Sequence, residues 1–369
     1  MGRTARRVPV GPAPRRVAAI LAILAITTIG LASCGAQSVH AIGSHTPRSS
    51  PKPPTGSLCT YFAAPASYPG ATGRGTFKRP YRGFQRLVDV LRPGDTGCLL
   101  AGNYIEDPDI TRGGTAAEPV AIRDVPGQTA ELDGNLSIER GAGYVTVEFL
   151  KICGAAGAPG CAADSFSSGR DTAIDISADH SVVRFDDISN PTGVCVLMGT
   201  APASDGEAGP ANEADIAFNR IHNCGGTPGS SSTIEGLYLA HSSDSVVSHN
   251  KIYDNASMGI QFYPDAQHDV FSYNQVWDNG GGVSFGGTGA FRSSYNLVEH
   301  NLIENSIGRW NVSSYWPNGA GVGNVVSHNC LKASSSQQYY SANGGIQPSR
   351  LGAAGFRSYD NATCSGTTG

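Results

Sequence analysis

One short motif, repeated through the second half of the chain, restricts the fold more than any other feature. It reads Phe218-Asn219-Arg220-Ile221-His222-Asn223, then His249-Asn250-Lys251-Ile252-Tyr253-Asp254-Asn255, then Tyr273-Asn274-Gln275-Val276-Trp277-Asp278-Asn279. His300-Asn301-Leu302-Ile303-Glu304-Asn305 and His328-Asn329-Cys330-Leu331 complete the series. The leading asparagines are 31, 24, 27 and 28 positions apart. A degenerate copy, Phe185-Asp186-Asp187-Ile188, lies 33 residues before the first, and residues 145–152 look like another. Two positions before each aromatic or histidine stands an apolar residue: Ile216, Val247, Phe271, Val298 and Val326. Between copies run Gly-led segments such as Gly236-Leu237-Tyr238-Leu239 and Gly259-Ile260-Gln261-Phe262. Their alternation reads as β-strand, so each repeat holds about three short strands. No repeat carries a helical stretch, which excludes a leucine-rich horseshoe.

A period of 24–33 residues, built from short strands and variable loops, predicts an all-β parallel β-helix whose coils stack about 4.8 Å apart. The recurring asparagine has a mechanism: it can take the left-handed conformation at a tight turn, and its amide can bond its equivalents above and below. Asn219, Asn250, Asn274, Asn301 and Asn329 are expected to form such a ladder. His249, His300 and His328, in register with Phe218 and Tyr273, are expected to stack inward beside it. His222, Tyr253, Trp277 and Glu304 are expected to point outward. Composition agrees. Only 15% of residues are charged and 48 of 369 are glycine, against usual values of about 25% and about 7%. A helical bundle is thereby excluded, while 40% hydrophobic residues suffice for a core. Phe84, Leu87, Val88 and Leu91 fall on one helical face, ended by Pro93-Gly94, and predict a short capping helix over the open end of the stack.

The N-terminus reads as an address. Five arginines precede an uncharged apolar stretch over residues 17–31, a length that suits an export signal better than a membrane span. It ends in Leu31-Ala32-Ser33-Cys34, which resembles a bacterial lipobox and makes Cys34 the candidate lipidated residue; the other reading is an ordinary secretory signal with an incidental cysteine. The expected organisation is a signal over 1–34, a Pro/Ser-rich tether over 35–57 and one domain over 58–369, with caps at 58–110 and 332–369. Eight cysteines remain, an even number suited to disulfides in an exported chain. Their spacing suggests Cys59–Cys98, Cys153–Cys161, Cys195–Cys224 and Cys330–Cys364, and no spacing suits a structural metal. Twelve of the 26 Lys and Arg precede Asp89, the first acidic residue; from it onward, 14 basic residues face 30 acidic ones. So acidic a body does not suit nucleic acid.

The segment from Tyr81 to Tyr104, with Phe84-Gln85, Leu91-Arg92-Pro93-Gly94-Asp95 and Gly102-Asn103-Tyr104, resembles the N-terminal cap of bacterial right-handed parallel β-helix proteins. The asparagine repeats resemble the coils of that pectate-lyase-like superfamily. The resemblance implies a single-stranded right-handed solenoid. Its members include polysaccharide lyases, glycoside hydrolases, epimerases and adhesins, so it implies a polysaccharide partner, with Ca²⁺ as a cofactor if the chain is a lyase. Its usual cleft lies on the outer face of one sheet, walled by loops.

In the Gly-led strands the expected outward column is Asp175, Cys195, Tyr238, Gln261 and Ser284. Flanking loops over residues 199–215, 223–235, 263–269 and 285–294 supply Glu235, His241, Tyr263, Asp265 and Arg292. Asp175, Glu235, His241 and Asp265 are the candidate acid/base groups. Tyr238, Gln261, Tyr263, Tyr253 and Trp277 are the candidate sugar contacts, because aromatic rings suit the apolar faces of sugars. Trp310, Tyr315 and Trp316 cluster nearby in sequence. Two functions follow: a lyase or hydrolase acting on polysaccharide, or a non-catalytic carbohydrate-binding or envelope protein. Either would be exported and monomeric, and held at the membrane through Cys34 if that residue is lipidated.

Overall fold

The computed structural model describes residues 58–154, 172–200, 209–231, 233–314, 320–333, 345–346 and 355–364. Cys34, the tether, Cys161, Tyr315 and Trp316 lie outside the described residues.

Among the described residues, three parallel sheets of twelve, ten and nine strands wind past one another, one strand of each per coil. One coil runs Val246–Ser248, Lys251–Tyr253 and Met258–Gln267; the next runs Val270–Ser272, Gln275–Trp277 and Gly281–Phe285. Each strand pairs in parallel with its successor: Val247 faces Phe271, Ile252 faces Val276 and Ile260 faces Val283. These middle residues point inward and are fully buried, stacking like on like along the axis. Phe262 and Phe285 stack in the core with centroids 5.0 Å apart.

The coil turns its corners by one repeated device. A residue with positive φ is followed by a buried polar residue that bonds the next coil. At the corner between the twelve- and ten-stranded sheets, Phe185, Phe218, His249, Tyr273, His300 and His328 have φ between 57° and 61°. The left-handed residue is thus the aromatic or histidine before the asparagine, where the asparagine itself was expected. Positive φ also swings these side chains outward. The His249, His300 and His328 column expected to point inward forms an external stack with Phe149, Phe185, Phe218 and Tyr273, its centroids 4.8–5.4 Å apart.

The asparagine ladder itself is present. The amide N–H of Asn219 donates to Asn250 Oδ1 at 2.9 Å, Asn250 to Asn274 at 2.8 Å, Asn274 to Asn301 at 2.8 Å and Asn301 to Asn329 at 2.9 Å. It continues to Asn361, and at its other end Asp186 takes an asparagine's place. Each left-handed non-glycine residue costs about 1–2 kcal/mol; several buried hydrogen bonds per corner, each worth about 1 kcal/mol, offset this. Two further ladders occupy the other corners. One runs through Ser245, Asp269, Asn296 and Asn324, the other through Asn255 and Asn279.

Two ladder positions are acids, which makes stability depend on pH. Burial pushes Asp186 well above the usual carboxylate range, although the Leu150 N–H pulls it back in part. Burial raises Asp269 to about 7 against the pull of the Ser242 hydroxyl and the Ser245 N–H. A carboxyl raised in the folded state binds its proton more tightly there than in the unfolded chain. Its contribution is complete below about pH 4 and is lost as pH rises through its folded value. Melting temperature should therefore fall between pH 5 and 8. Asp269→Asn should remove much of that slope, adding on the order of 3 kcal/mol at pH 8 and little at pH 4.5. Calorimetry at both pH values checks this; equal effects at the two would contradict it.

At the N-terminal end the helix spans Phe84–Val88, shorter than expected, although Leu91 is still buried. Glu106 caps it, its carboxylate accepting from the N–H groups of Phe84 and Gln85 at 2.6 and 2.9 Å. Gly97 lets the helix approach, since a Cβ there would lie 2.9 Å from Leu87 Cδ2. Disulfides join Cys59 to Cys98, Cys195 to Cys224 and Cys330 to Cys364, as their spacing suggested. Cys153 is also disulfide-bonded.

Candidate functional site

The outer face of the nine-stranded sheet carries most of the candidate residues. Register places Asp175, Leu197, Tyr238, Gln261, Ser284 and Ser313 in one column. Leu197 takes the position expected for Cys195, which lies in the core bonded to Cys224.

His241 and Asp265 are brought together. They are register partners on Leu237–Ser243 and Met258–Gln267, the two longest strands described. The second strand continues through residues 263–267, where a loop was expected. Between the two pairings, Leu239 to His241 is matched by the longer step from Phe262 to Asp265. This one-residue bulge changes the phase of pairing, so that Asp265, in step with Gln261 and Tyr263 along its own strand, becomes the partner of His241. Gly199 backs the site: at φ +68° it lies so close to the His241 carbonyl that any Cβ would clash.

His241 Nε2 lies 3.9 Å from Asp265 Oδ2, with the side chains 31% and 21% exposed. That is an ion-pair separation, longer than a hydrogen bond. With Nε2–H directed at the carboxylate, Nδ1 carries the lone pair; it meets no partner among the described residues. Tyr263 lies two residues from Asp265 on the same strand, and its ring stacks on Tyr238 with centroids 6.3 Å apart. Burial, with Glu235 and Tyr263 nearby, pushes the Tyr238 phenol well above its usual range.

The other two acids stand apart. Glu235 is fully buried, and burial raises it to about 7 despite the Ser257 hydroxyl and the Arg309 charge. Six residues of chain separate it from His241, about 20 Å if extended. Asp175 lies two coils from Tyr238 and accepts from Thr172 Oγ1 at 2.7 Å. No two of these carboxyls are register neighbours, so they do not form the close pair a retaining or inverting hydrolase needs.

Tyr253 and Trp277 lie on a different face, that of the ten-stranded sheet. They stack with His222, centroids 4.9 and 4.5 Å apart and planes within 12°. Stacked along the axis, Tyr253 has a ring on each face, and Trp277 lies with one face on Tyr253 and Glu304 as its partner on the next coil. His222 is hydrogen-bonded through both ring nitrogens, to Asp187 at 2.6 Å and to Asn223 at 2.7 Å, and Arg220 donates to the Tyr253 hydroxyl at 2.7 Å. Burial alone would raise Asp187, but bonding to His222 and the charges of His222, Arg220 and Lys151 hold it below the usual range. This is a satisfied surface network with no free base.

No three carboxylates converge on the nine-stranded face among the described residues. The one cluster of three potential ligands among the described residues, Glu131, Asp133 and Cys153, lies elsewhere. Its sulfur is in a disulfide and cannot act as a thiolate. With two carboxylates and a disulfide sulfur, this cluster does not supply the six to eight oxygens that Ca²⁺ takes.

Parallel strands, three-cornered coils and polar ladders define a β-helix. Residues 165–350, half of the chain, match the family described as the right-handed β-helix region, and the chain belongs to that family. A rhamnogalacturonan lyase is similar at 12% identity and TM-score 0.55, covering 84% of this chain and 83% of its own. Pectate lyase Pel9A is similar at 11% identity and TM-score 0.54, covering 83% and 78%. XylC in complex with xylose gives 12% identity and TM-score 0.51, covering 74% of this chain and 66% of its own. At these identities the likeness is one of fold. No curated protein matches the sequence.

Gln267, which the sequence did not mark, also belongs to this face. Its signal was present: from Tyr263 to Gln267, polar and small residues alternate with period two, but Pro264 reads as a strand breaker.

Proposed function

We propose that the chain is an exported enzyme acting on polysaccharide, with the glycan lying across Tyr238, Tyr263 and the His241–Asp265 pair. The observation that carries this reading is that pair, on adjacent coils and beside two tyrosines. The dispersal of Asp175 and Glu235 favours a lyase over a hydrolase. In a β-elimination, His241 Nδ1 takes the proton alpha to a uronate carboxylate. The electron pair forms the new double bond, the glycosidic C–O bond breaks, and the Tyr263 hydroxyl protonates the leaving oxygen. Asp265 orients His241 and stabilises its protonated form. Arg292, on the hairpin strand Phe291–Arg292 whose backbone Gln267 reaches, would offset the substrate carboxylate. The polysaccharide-lyase neighbours support the substrate class, and the disulfides support export. Anchoring through Cys34 is part of the proposal.

The same dispersal favours a second reading, a carbohydrate-binding protein that does not cleave. A panel of neutral and uronate-containing glycans separates the two, scored for retention and for new unsaturated or reducing ends. Unsaturated ends from a uronate polymer are the expected result. Retention without cleavage across the panel would overturn the enzyme in favour of the binder.

A further inference from the structure

Asp265 has a second partner, and it is held more closely than His241. Gln267 Nε2 donates to Asp265 Oδ1 at 2.8 Å and to the backbone oxygen of Arg292 at 2.5 Å. Oδ1 is thereby occupied, and Oδ2 is the oxygen turned to His241. A partly exposed carboxylate rotates readily about its last torsion, and at 3.9 Å the histidine alone does not stop that rotation. A neighbour bonded to one oxygen does. The same amide also ties Asp265 to the antiparallel hairpin of Gly287–Thr288 and Phe291–Arg292.

We propose that Gln267 is a positioning residue: it fixes the plane of Asp265 so that Oδ2 addresses His241, and it couples that orientation to the hairpin carrying Arg292. This rests on the reading of the face as an active site. Gln267 itself touches no substrate. Its two partners belong to different elements, one on its own strand and one on the hairpin 25 residues away. A side chain that only filled surface would not need both.

The test follows the His241 imidazole nitrogens by NMR in the intact protein at about pH 9, reading the balance between the Nε2–H and Nδ1–H forms. It compares wild type with Asp265→Asn, Gln267→Leu and Gln267→Met, the last nearly isosteric and without a donor. Asp265→Asn should shift that balance away from the Nε2–H form, because the carboxylate facing it is lost. Both Gln267 variants should shift it in the same direction by a smaller amount, as Asp265 turns away. On a glycan the wild type cleaves, kcat should fall about tenfold with KM within twofold. Two Gln267 variants with the wild-type tautomer balance, while Asp265→Asn shifts, would overturn the positioning role and leave the pair intact. An unshifted Asp265→Asn would overturn the pair as well.

Discussion

Asn274→Ala should lower stability by about 4 kcal/mol, with a fall in melting temperature near 10 °C. The size follows from what one side chain holds. Asn274 Oδ1 accepts from the N–H and Nδ2 of Asn250, at 2.8 and 3.0 Å. Its Nδ2 donates to the carbonyls of Val247 and Ser272 and to Asn301 Oδ1. Truncation strands several of these groups in a site 1% exposed, and each costs about 1–3 kcal/mol when left unpaired. Tyr273→Ala, one residue earlier on the outside of the same corner, should cost far less. Denaturant melts of both variants check the contrast, and equal losses would show that the ladder carries no special share.

The second large effect is on catalysis. His241→Ala should cut turnover of a cleaved uronate glycan by about 10²–10⁴, the usual span for a general base. Asp265→Asn should cost less, since it leaves the base in place and removes its orienting charge. Trp277→Ala, on the other face, should leave both kcat and KM near wild type. Wild-type turnover in His241→Ala would remove the proposed base; a large loss in Trp277→Ala would move the site to the ten-stranded sheet.

The repeat was legible because stacked coils place chemically equivalent residues at equivalent corners, and a buried amide is hard to replace. Direction was harder to read. His249, His300 and His328 fall in step with inward-pointing residues when counted as a plain strand, and only the positive φ at the corner turns them out. The ladder through Ser245, Asp269, Asn296 and Asn324 was hidden because three residue types fill one role. At the candidate site, His241 and Asp265 were found as loop residues, but their pairing was not, because it depends on a one-residue bulge beside Pro264. The burial of Glu235, and the loss of both ring faces of Tyr253 to stacking, are properties of neighbouring coils and leave no mark on local sequence.

The corner ladders also uncouple chain length from rise. Thirty-one residues separate Asn219 from Asn250 and 24 separate Asn250 from Asn274, yet each pair makes the same hydrogen bond to the next coil. Seven residues are gained or lost without any change of pitch, because the extra chain leaves and returns between fixed pins. A segment inserted between corners therefore adds surface beside the nine-stranded face while the register of His241 and Asp265 stays as it was. The scaffold measures distance in coils, and the loops are free to vary in what they present to a ligand.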